Sequence, residues 1–530
     1  MATEVLPGSA ATVSPIARWA ARARGWAPIG APSGLMLGLA LWGLGRPSMY
    51  GTEAVTYWAA RLPVHALLHL LRHVDAVHGL YYALMHVVFL FGGGTIALRL
   101  PSAIAMTGAV ALTGVLARQL SGSNRVALFA GLSMTTIPFV DTYAQGGRSY
   151  AIDAAAVLIT SYLLLRALRP MPGGTDQSRR WWLAYGVALA VTGYLHEMTA
   201  LVIVSHAVTL WWARTDRTRL RRWLVTVSCA VIALVPLIVV SALQQGQLSW
   251  VRPATFGTAL SLVATYLGPS RIAMAVNGAL IVVGAVANLR RYRSAPGITL
   301  VRFALPLLVL PPAVVLAESA ITHPLYGGSR YFLYCAPGAA LLVGAGVERV
   351  IRFVDQGRVR GAVWLVGTAI MVALLALQWP LQQRLRTPQG APQDMHALSV
   401  YVHEHAHHGD GILYVARPFS VGQLAFPSDF GAVRDLVVAS SPERSGTLYG
   451  TIKGPAGLRR AVLAERRVWL VGVPPKRSAA PTELRALEDG FHATSHHHVI
   501  GALITLYVRN RVTNQNRARS ETDIARVRLG

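Results

Sequence analysis

Apolar runs punctuated by arginines recur along most of the chain, and the runs are of a length that crosses a bilayer as a helix, which needs about 20 residues. They lie near 28–46, 101–118, 125–143, 150–168, 181–195, 197–213, 223–242, 272–289, 300–318, 331–348 and 361–379. This predicts about eleven transmembrane helices. Two further segments, 54–72 and 79–92, have apolar positions three and four apart. The second is short and aromatic (Tyr81, Tyr82, Phe89, Phe91), so both read as helices lying at the membrane surface, as does 254–268. After about residue 380 the pattern changes. Residues 392–408 suggest a helix ending at Gly409, and apolar stretches at 412–416, 467–472 and 501–508 read as strands. Residues 381–510 are thus a small α/β domain, and 511–530, polar and without periodicity, a disordered tail. No internal repeat is visible.

Composition agrees with lipid as the main solvent: 53% of residues are hydrophobic and 14% charged, against about 25% charged in soluble domains. The net charge of +26 would suggest nucleic acid if the arginines made one basic surface. Instead they cluster between apolar runs, as in cytoplasmic loops of membrane proteins, so nucleic acid is not an expected partner. With the N-terminus inside, Arg118 and Arg125, Arg166 to Arg180, Arg214 to Arg222, Arg290 to Arg293 and Arg349 to Arg360 all fall on the cytoplasmic side. Residues 1–27 are then a cytoplasmic N-terminus and 28–380 the transmembrane domain, with 47–100 its first outside loop. An odd number of spans leaves the C-terminal domain outside. Arg18, Arg22 and Arg24 before the first run imitate a signal peptide, but no small-residue cleavage site follows, and an uncleaved first span is expected. Cys229 and Cys335 both lie in apolar runs and read as buried hydrophobes rather than as a disulfide framework or metal pair.

The polar residues that remain gather on one predicted side. Ser48-Met49-Tyr50-Gly51-Thr52-Glu53-Ala54 opens the first outside loop, followed by His73-Val74-Asp75-Ala76-Val77-His78-Gly79-Leu80-Tyr81-Tyr82 and Leu98-Arg99-Leu100-Pro101-Ser102. Tyr143-Ala144-Gln145-Gly146-Gly147-Arg148-Ser149-Tyr150 and the pair His196-Glu197 come later. His323-Pro324 and Ser329-Arg330-Tyr331-Phe332 close the set. A carboxylate such as Glu53 or Asp75 can take a proton from a hydroxyl. The bland readings are a helix N-terminal acid for Glu53 and a cap for Asp75. Arginine forks suit phosphate oxygens, while Arg330 and Arg148 can equally anchor helix ends at the interface. Asp141, Asp153 and Glu318 lie in or beside apolar runs, where ionisable groups merit testing.

In their order and spacing these stretches resemble the polyprenyl-phosphate-sugar-dependent glycosyltransferases of the GT-C fold, and among them the bacterial protein-mannosyltransferase and aminoarabinose-transferase relatives. The resemblance covers about residues 28–380. Two acidic positions of that pattern are absent: Thr52-Glu53 stands where the family has Asp-Glu, and Gln145-Gly146-Gly147-Arg148 where it has Gln-Glu-Ala-Arg. His78-Gly79 replaces the usual His-Pro.

The resemblance implies an all-α integral membrane protein of GT-C type, in the bacterial plasma membrane, carrying the small α/β domain outside. It implies a polyprenyl-phosphate sugar donor, mannose favoured, and a protein, lipid or glycan acceptor. Glu53 is then the leading base and Asp75 its helper or substitute, with His78, Arg148, Arg330, Tyr331 and His196 binding substrate and phosphate. The resemblance fixes no cofactor, and a divalent metal stays open. The alternatives are a non-catalytic glycan- or lipid-binding or assembly protein derived from such a transferase, and a lipid or solute transporter. Finally, His403-Glu404-His405-Ala406-His407 matches a zinc-protease pattern, but the helix it needs stops at Gly409 and no third ligand is evident.

Overall fold

The computed structural model describes residues 15–169, 175–248, 251–288, 297–321, 324–355, 363–415, 417–472, 487 and 490–510. Arg290, Arg291, Arg293, His323, Arg358, Arg360 and the tail 511–530 lie outside the described residues. The first helices are α1 (Pro15–Leu41), α2 (Gly51–Ala59), α3 (Val64–His73), α4 (Gly79–Phe89), α5 (Gly94–Ser121) and α6 (Asn124–Thr136). There follow α7 (Pro138–Ala144), α8 (Tyr150–Ala167), α9 (Thr175–Leu195), α10 (Val202–Trp212), α11 (Arg217–Leu243) and α12 (Phe256–Leu267). Then come α13 (Arg271–Asn288), α14 (Leu300–Ile321), α15 (Ala336–Asp355), α16 (Val363–Leu385) and α17 (Met395–His405). Two compact units result: residues up to 44, 77–81 and 96–384 in one, and 45–76, 82–95 and 385 onward in the other.

The first unit is a multi-span membrane protein. Among the described residues six helices are long and apolar enough to cross a bilayer, or up to eight spans if each of two bent pairs counts as one. α6 and α7 meet at 74°, where Pro138 starts α7 and cannot donate the hydrogen bond that would continue α6. α12 and α13 meet at 82°; the segment expected to lie on the surface at 254–268 is the first half of this break. In the stretch Ser329–Asp355, 94% of the apolar window is buried, against 17% for α11. The former is the centre of the bundle. The latter turns Leu224, Val225, Ile232, Val235 and Val239 outward, where lipid is their solvent. Cys335 is buried as expected, but Cys229 is exposed on α11, where an apolar thiol meets lipid at little cost.

Small residues let the central helix come close to its neighbours, as packing in a bilayer favours. A Cβ on Gly344 of α15 would stand 2.6 Å from the Ala130 backbone nitrogen of α6 and 2.9 Å from its Cα. Backbone cannot swing aside as a side chain can. Gly344→Val is therefore expected to destabilise the fold by about 1–3 kcal/mol, the usual cost of overpacking, read as a lower melting temperature in detergent. An unchanged melt would mean that α15 and α6 are less tightly seated than their spacing indicates.

The second unit combines most of the first loop with the C-terminal part. The run predicted as one helix over 54–72 is two, because Pro63 sets the N-cap of α3. The Gly51 N–H donates to Gln393 Oε1 at 3.1 Å, and the Met395 N–H to the Met49 carbonyl at 3.1 Å. α17 ends at His405, and Gly409 then takes a left-handed φ of +91°. Beyond it lie β1 (Asp410–Tyr414), β2 (Val433–Asp435), β3 (Val438–Ser440), β4 (Thr451–Ile452), β5 (Arg467–Gly472), β6 (Phe491–Val499) and β7 (Ala502–Arg509). The five-stranded sheet runs β2-β1-β5-β7-β6, parallel at β1 to both β2 and β5 and antiparallel from β5 through β7 to β6. The helix of the zinc-like motif stops before His407, so His403 and His407 share no helical face. The His407 ring instead lies 2.6 Å from Nη1 of Arg467.

Candidate active site

Five of the seven residues singled out in the sequence come together in the first unit. Arg148 sits in the short loop between α7 and α8. That loop is built by residues of the same motifs. Gln145 Nε2 donates to the carbonyls of Leu39, Ala40 and Trp42 at 2.8–3.2 Å, and thereby caps the C-terminal end of α1. Arg99 Nη1 donates to the Leu44 carbonyl at 3.0 Å. The Ser102 hydroxyl donates to the Arg148 carbonyl at 3.1 Å. A side chain at position 147 would run into Leu98, so glycine there follows from packing. Arg99, Ser102 and Gln145 thus shape the loop that presents Arg148.

Arg148 Nη2 donates to Nε2 of His78 at 2.7 Å. A guanidinium can only donate, so this imidazole nitrogen is an acceptor and His78 is neutral. The His78 ring lies 5.4 Å from that of His196, which is 5.0 Å from the ring of Tyr331. Tyr150, 5.8 Å from Tyr331 and 5.1 Å from Tyr143, completes an aromatic cage. Into it come both guanidiniums: that of Arg148 is 5.9 Å from the Tyr150 ring, and that of Arg330 is 5.0 Å from the Tyr331 ring. Arg330 Nη2 also donates to the Tyr331 hydroxyl at 3.3 Å. Among the described residues Arg330 forms no ion pair with a carboxylate.

His196 sits between α9 and the 3-10 segment Glu197–Leu201, where its Nδ1 accepts the Met198 N–H at 3.3 Å. Burial, then the charges of Arg148 and Arg330, push its pKa down to about 3. The same causes, burial foremost and Arg148 next, hold His78 well below the usual histidine range. The folded protein keeps both rings neutral while an unfolded chain takes up protons below about pH 6.5. Stability is therefore full above that pH and falls as acid is added. Lowering the pH from 7 to 5 is expected to depress the melting temperature of wild type more than that of His196→Gln. Equal losses would show that His196 is charged in the fold.

Glu53 and Asp75 belong to the second unit. Glu53 is fully buried in the first turn of α2, and its Oε2 accepts the Tyr50 N–H at 3.4 Å. Asp75 has a left-handed φ of +59°, sparsely populated by residues other than glycine, and accepts the Tyr82 hydroxyl at 2.7 Å. Glu197 accepts the Ser241 hydroxyl at 2.7 Å and so ties its segment to α11. Asp153 is buried in α8 and accepts the Ser149 hydroxyl at 3.0 Å, whereas Glu318 is exposed on α14. Among the described residues no three His, Cys, Asp or Glu side chains gather where they could hold a metal ion. Tyr150 and Tyr143 wall the cage although nothing in the sequence gives them that role; their one signal there is that they bracket Arg148 in a single motif.

A family model described as dolichyl-phosphate-mannose-protein mannosyltransferase matches residues 78–243, a stretch holding His78, Arg148 and His196. Comparison with curated protein sequences gives no significant match. Among solved structures, ArnT from Cupriavidus metallidurans in the apo state aligns with a TM-score of 0.58 and 14% identity over 92% of this chain and 98% of that one. The same protein bound to undecaprenyl phosphate aligns with a TM-score of 0.58 and 13% identity over 91% and 98%. The archaeal oligosaccharyltransferase AglB from Archaeoglobus fulgidus, in complex with an inhibitory peptide and a dolichol-phosphate, gives 0.54 and 12% over 85% and 70%. Aligned over nearly its whole length with such proteins, this chain has the GT-C fold of membrane glycosyltransferases.

Proposed function

We propose that the protein transfers a sugar from a polyprenyl-phosphate donor to a hydroxyl acceptor at the outer face of the bacterial plasma membrane, with mannose the favoured sugar. The observation that carries this reading is the convergence of Arg148 and Arg330 on one cage of tyrosines and neutral histidines, with Arg330 in no carboxylate pair. Two fixed positive charges in a partly dry site suit a phosphate, whose negative charge grows as the glycosidic bond breaks. In this mechanism the acceptor oxygen attacks the anomeric carbon and Glu53 takes its proton, with Asp75 as helper. The bond from that carbon to the phosphate oxygen breaks, and its electron pair stays on the polyprenyl phosphate between the two arginines. The undecaprenyl phosphate and dolichol-phosphate bound to ArnT and AglB support this donor class, and the description of the matching family supports mannose.

The N-terminus is placed in the cytoplasm and the C-terminal domain outside, on the arginine pattern. That Glu53 and the C-terminal domain share one compact unit agrees with their lying on the same side. A second reading, a binding or assembly protein that has lost catalysis, is favoured by one observation: the bond from Tyr50 N–H to Glu53 is what a helix-capping acid makes. Supplying membranes that contain the protein and its acceptor with polyprenyl-phosphate mannose, aminoarabinose and glucose in turn separates these possibilities. Release of polyprenyl phosphate from the mannose donor is the expected result. Release from another donor would reassign the sugar, and binding without release from any would favour the second reading.

A further inference from the structure

The segment carrying Arg330 and Tyr331 is not part of a long helix. It is a 3-10 segment, Ser329–Cys335, entered through Gly328 at a left-handed φ of +135°. His196 likewise sits at the start of the 3-10 segment Glu197–Leu201. Short 3-10 turns hold themselves poorly, so the geometry of the cage has to come from outside them. Two buried tyrosines supply it. The Tyr334 hydroxyl donates to the Met198 carbonyl at 2.8 Å, which joins the Arg330 segment directly to the His196 segment. The Tyr266 hydroxyl, at the end of α12 beside its break with α13, donates to the Phe332 carbonyl at 2.8 Å. The stack of Tyr326 on Phe332, with rings 6.0 Å apart and 8° from parallel, closes the turn on its near side.

We propose that Tyr334 and Tyr266 are positioning residues that hold the Arg330 segment against His196, and so set how tightly the site grips a phosphate. Neither hydroxyl belongs to the cage. Each donates to a backbone carbonyl two residues from a cage residue: Met198 from His196, and Phe332 from Arg330. This deepens the proposed function and rests on Arg330 being a phosphate ligand. It also gives the α12–α13 break a role: that break, with Gly268 at a φ of +110°, sets where Tyr266 ends.

The test is binding of farnesyl phosphate to full-length protein in detergent, with farnesol as the control lacking phosphate. Wild type, Tyr334→Phe, Tyr266→Phe, Arg330→Ala and the Tyr334→Phe/Arg330→Ala double variant are compared, with melting temperature followed throughout. Losing one hydroxyl-to-carbonyl bond is expected to weaken farnesyl phosphate binding by about three- to tenfold in each tyrosine variant, with farnesol unaffected. In the Arg330→Ala background Tyr334→Phe is expected to cost nothing further, because it acts through that arginine. If Arg330→Ala leaves binding unchanged, the reading of the site itself fails. If Arg330→Ala weakens binding but the tyrosine variants do not, or if their losses simply add to it, the positioning role is overturned. A variant whose melt collapses is replaced by Tyr→Met at the same position, which fills part of the space with a flexible apolar chain and removes the hydroxyl, and the same outcomes apply.

Discussion

Arg330→Ala is expected to weaken the binding of a polyprenyl phosphate by about a hundredfold, the loss of two charge-assisted bonds at roughly 1.5 kcal/mol each. Transfer should fall further, because charge on the leaving phosphate is greatest when the glycosidic bond has broken. Arg330→Lys keeps the charge but not the planar fork and should fall between wild type and alanine. The expectation rests on the place of Arg330: half-buried, 5.0 Å from the Tyr331 ring, and in no carboxylate pair among the described residues. An interface anchor would leave donor affinity untouched when removed. Binding measured against lipid phosphate in detergent therefore distinguishes a ligand from an anchor, with farnesol as the uncharged control.

Glu53→Gln is expected to lower kcat by about 10²- to 10⁴-fold, the usual contribution of a general base, while leaving the KM for the donor and the melting temperature near wild type. The substitution is chosen because an amide oxygen can still accept the Tyr50 N–H that Oε2 accepts now. A helix-capping role survives in glutamine, whereas a proton acceptor does not. If turnover is unchanged, the base lies elsewhere. Asp75→Asn is then the next variant, since Tyr82 fixes that carboxylate at 2.7 Å. Loss of folding in Glu53→Gln, seen as a lower melt without a change in turnover per folded molecule, would assign Glu53 to structure alone.

Much of this was legible in the chain, for identifiable reasons. Long apolar runs separated by arginines have one physical meaning in a bilayer, and the helices stand where those runs do. The breaks were less visible. Pro63 and Pro138 each end or redirect a helix, yet a proline inside an apolar run looks much the same from sequence whether the helix kinks or stops. β6 was missed because Phe491–Val499 is rich in histidine and mostly exposed, as an edge strand can be, so no apolar alternation marks it. β2, β3 and β4 have two or three residues each, too few for a period to show.

The site was legible as residue types and not as a shape. Arg148, His196 and Arg330 were singled out separately; only the fold brings residues so far apart in sequence onto one cage. Gln145 and Arg99 share the motifs of the site, yet Gln145 donates to carbonyls at the end of α1 and Arg99 to the Leu44 carbonyl just past it. Tyr334 and Tyr266 gave no signal, since a tyrosine in an apolar run resembles any interfacial aromatic. The absent acids at Thr52 and Gly146 also have a local context. Thr52 is exposed on α2, and a Cβ at Gly146 would meet its nearest neighbour, the Thr142 carbonyl, at an ordinary 3.4 Å. Packing therefore does not force glycine at 146, in contrast to 147.

The most direct test of the central claim is transfer of label from radiolabelled polyprenyl-phosphate mannose in membranes containing wild type or the Arg148→Ala/Arg330→Ala variant at matched protein levels. Wild type is expected to move label into an acceptor and release polyprenyl phosphate, and the double variant to do neither. Equal transfer by both would contradict it, because the two guanidiniums in the cage would then have no part in holding the leaving phosphate.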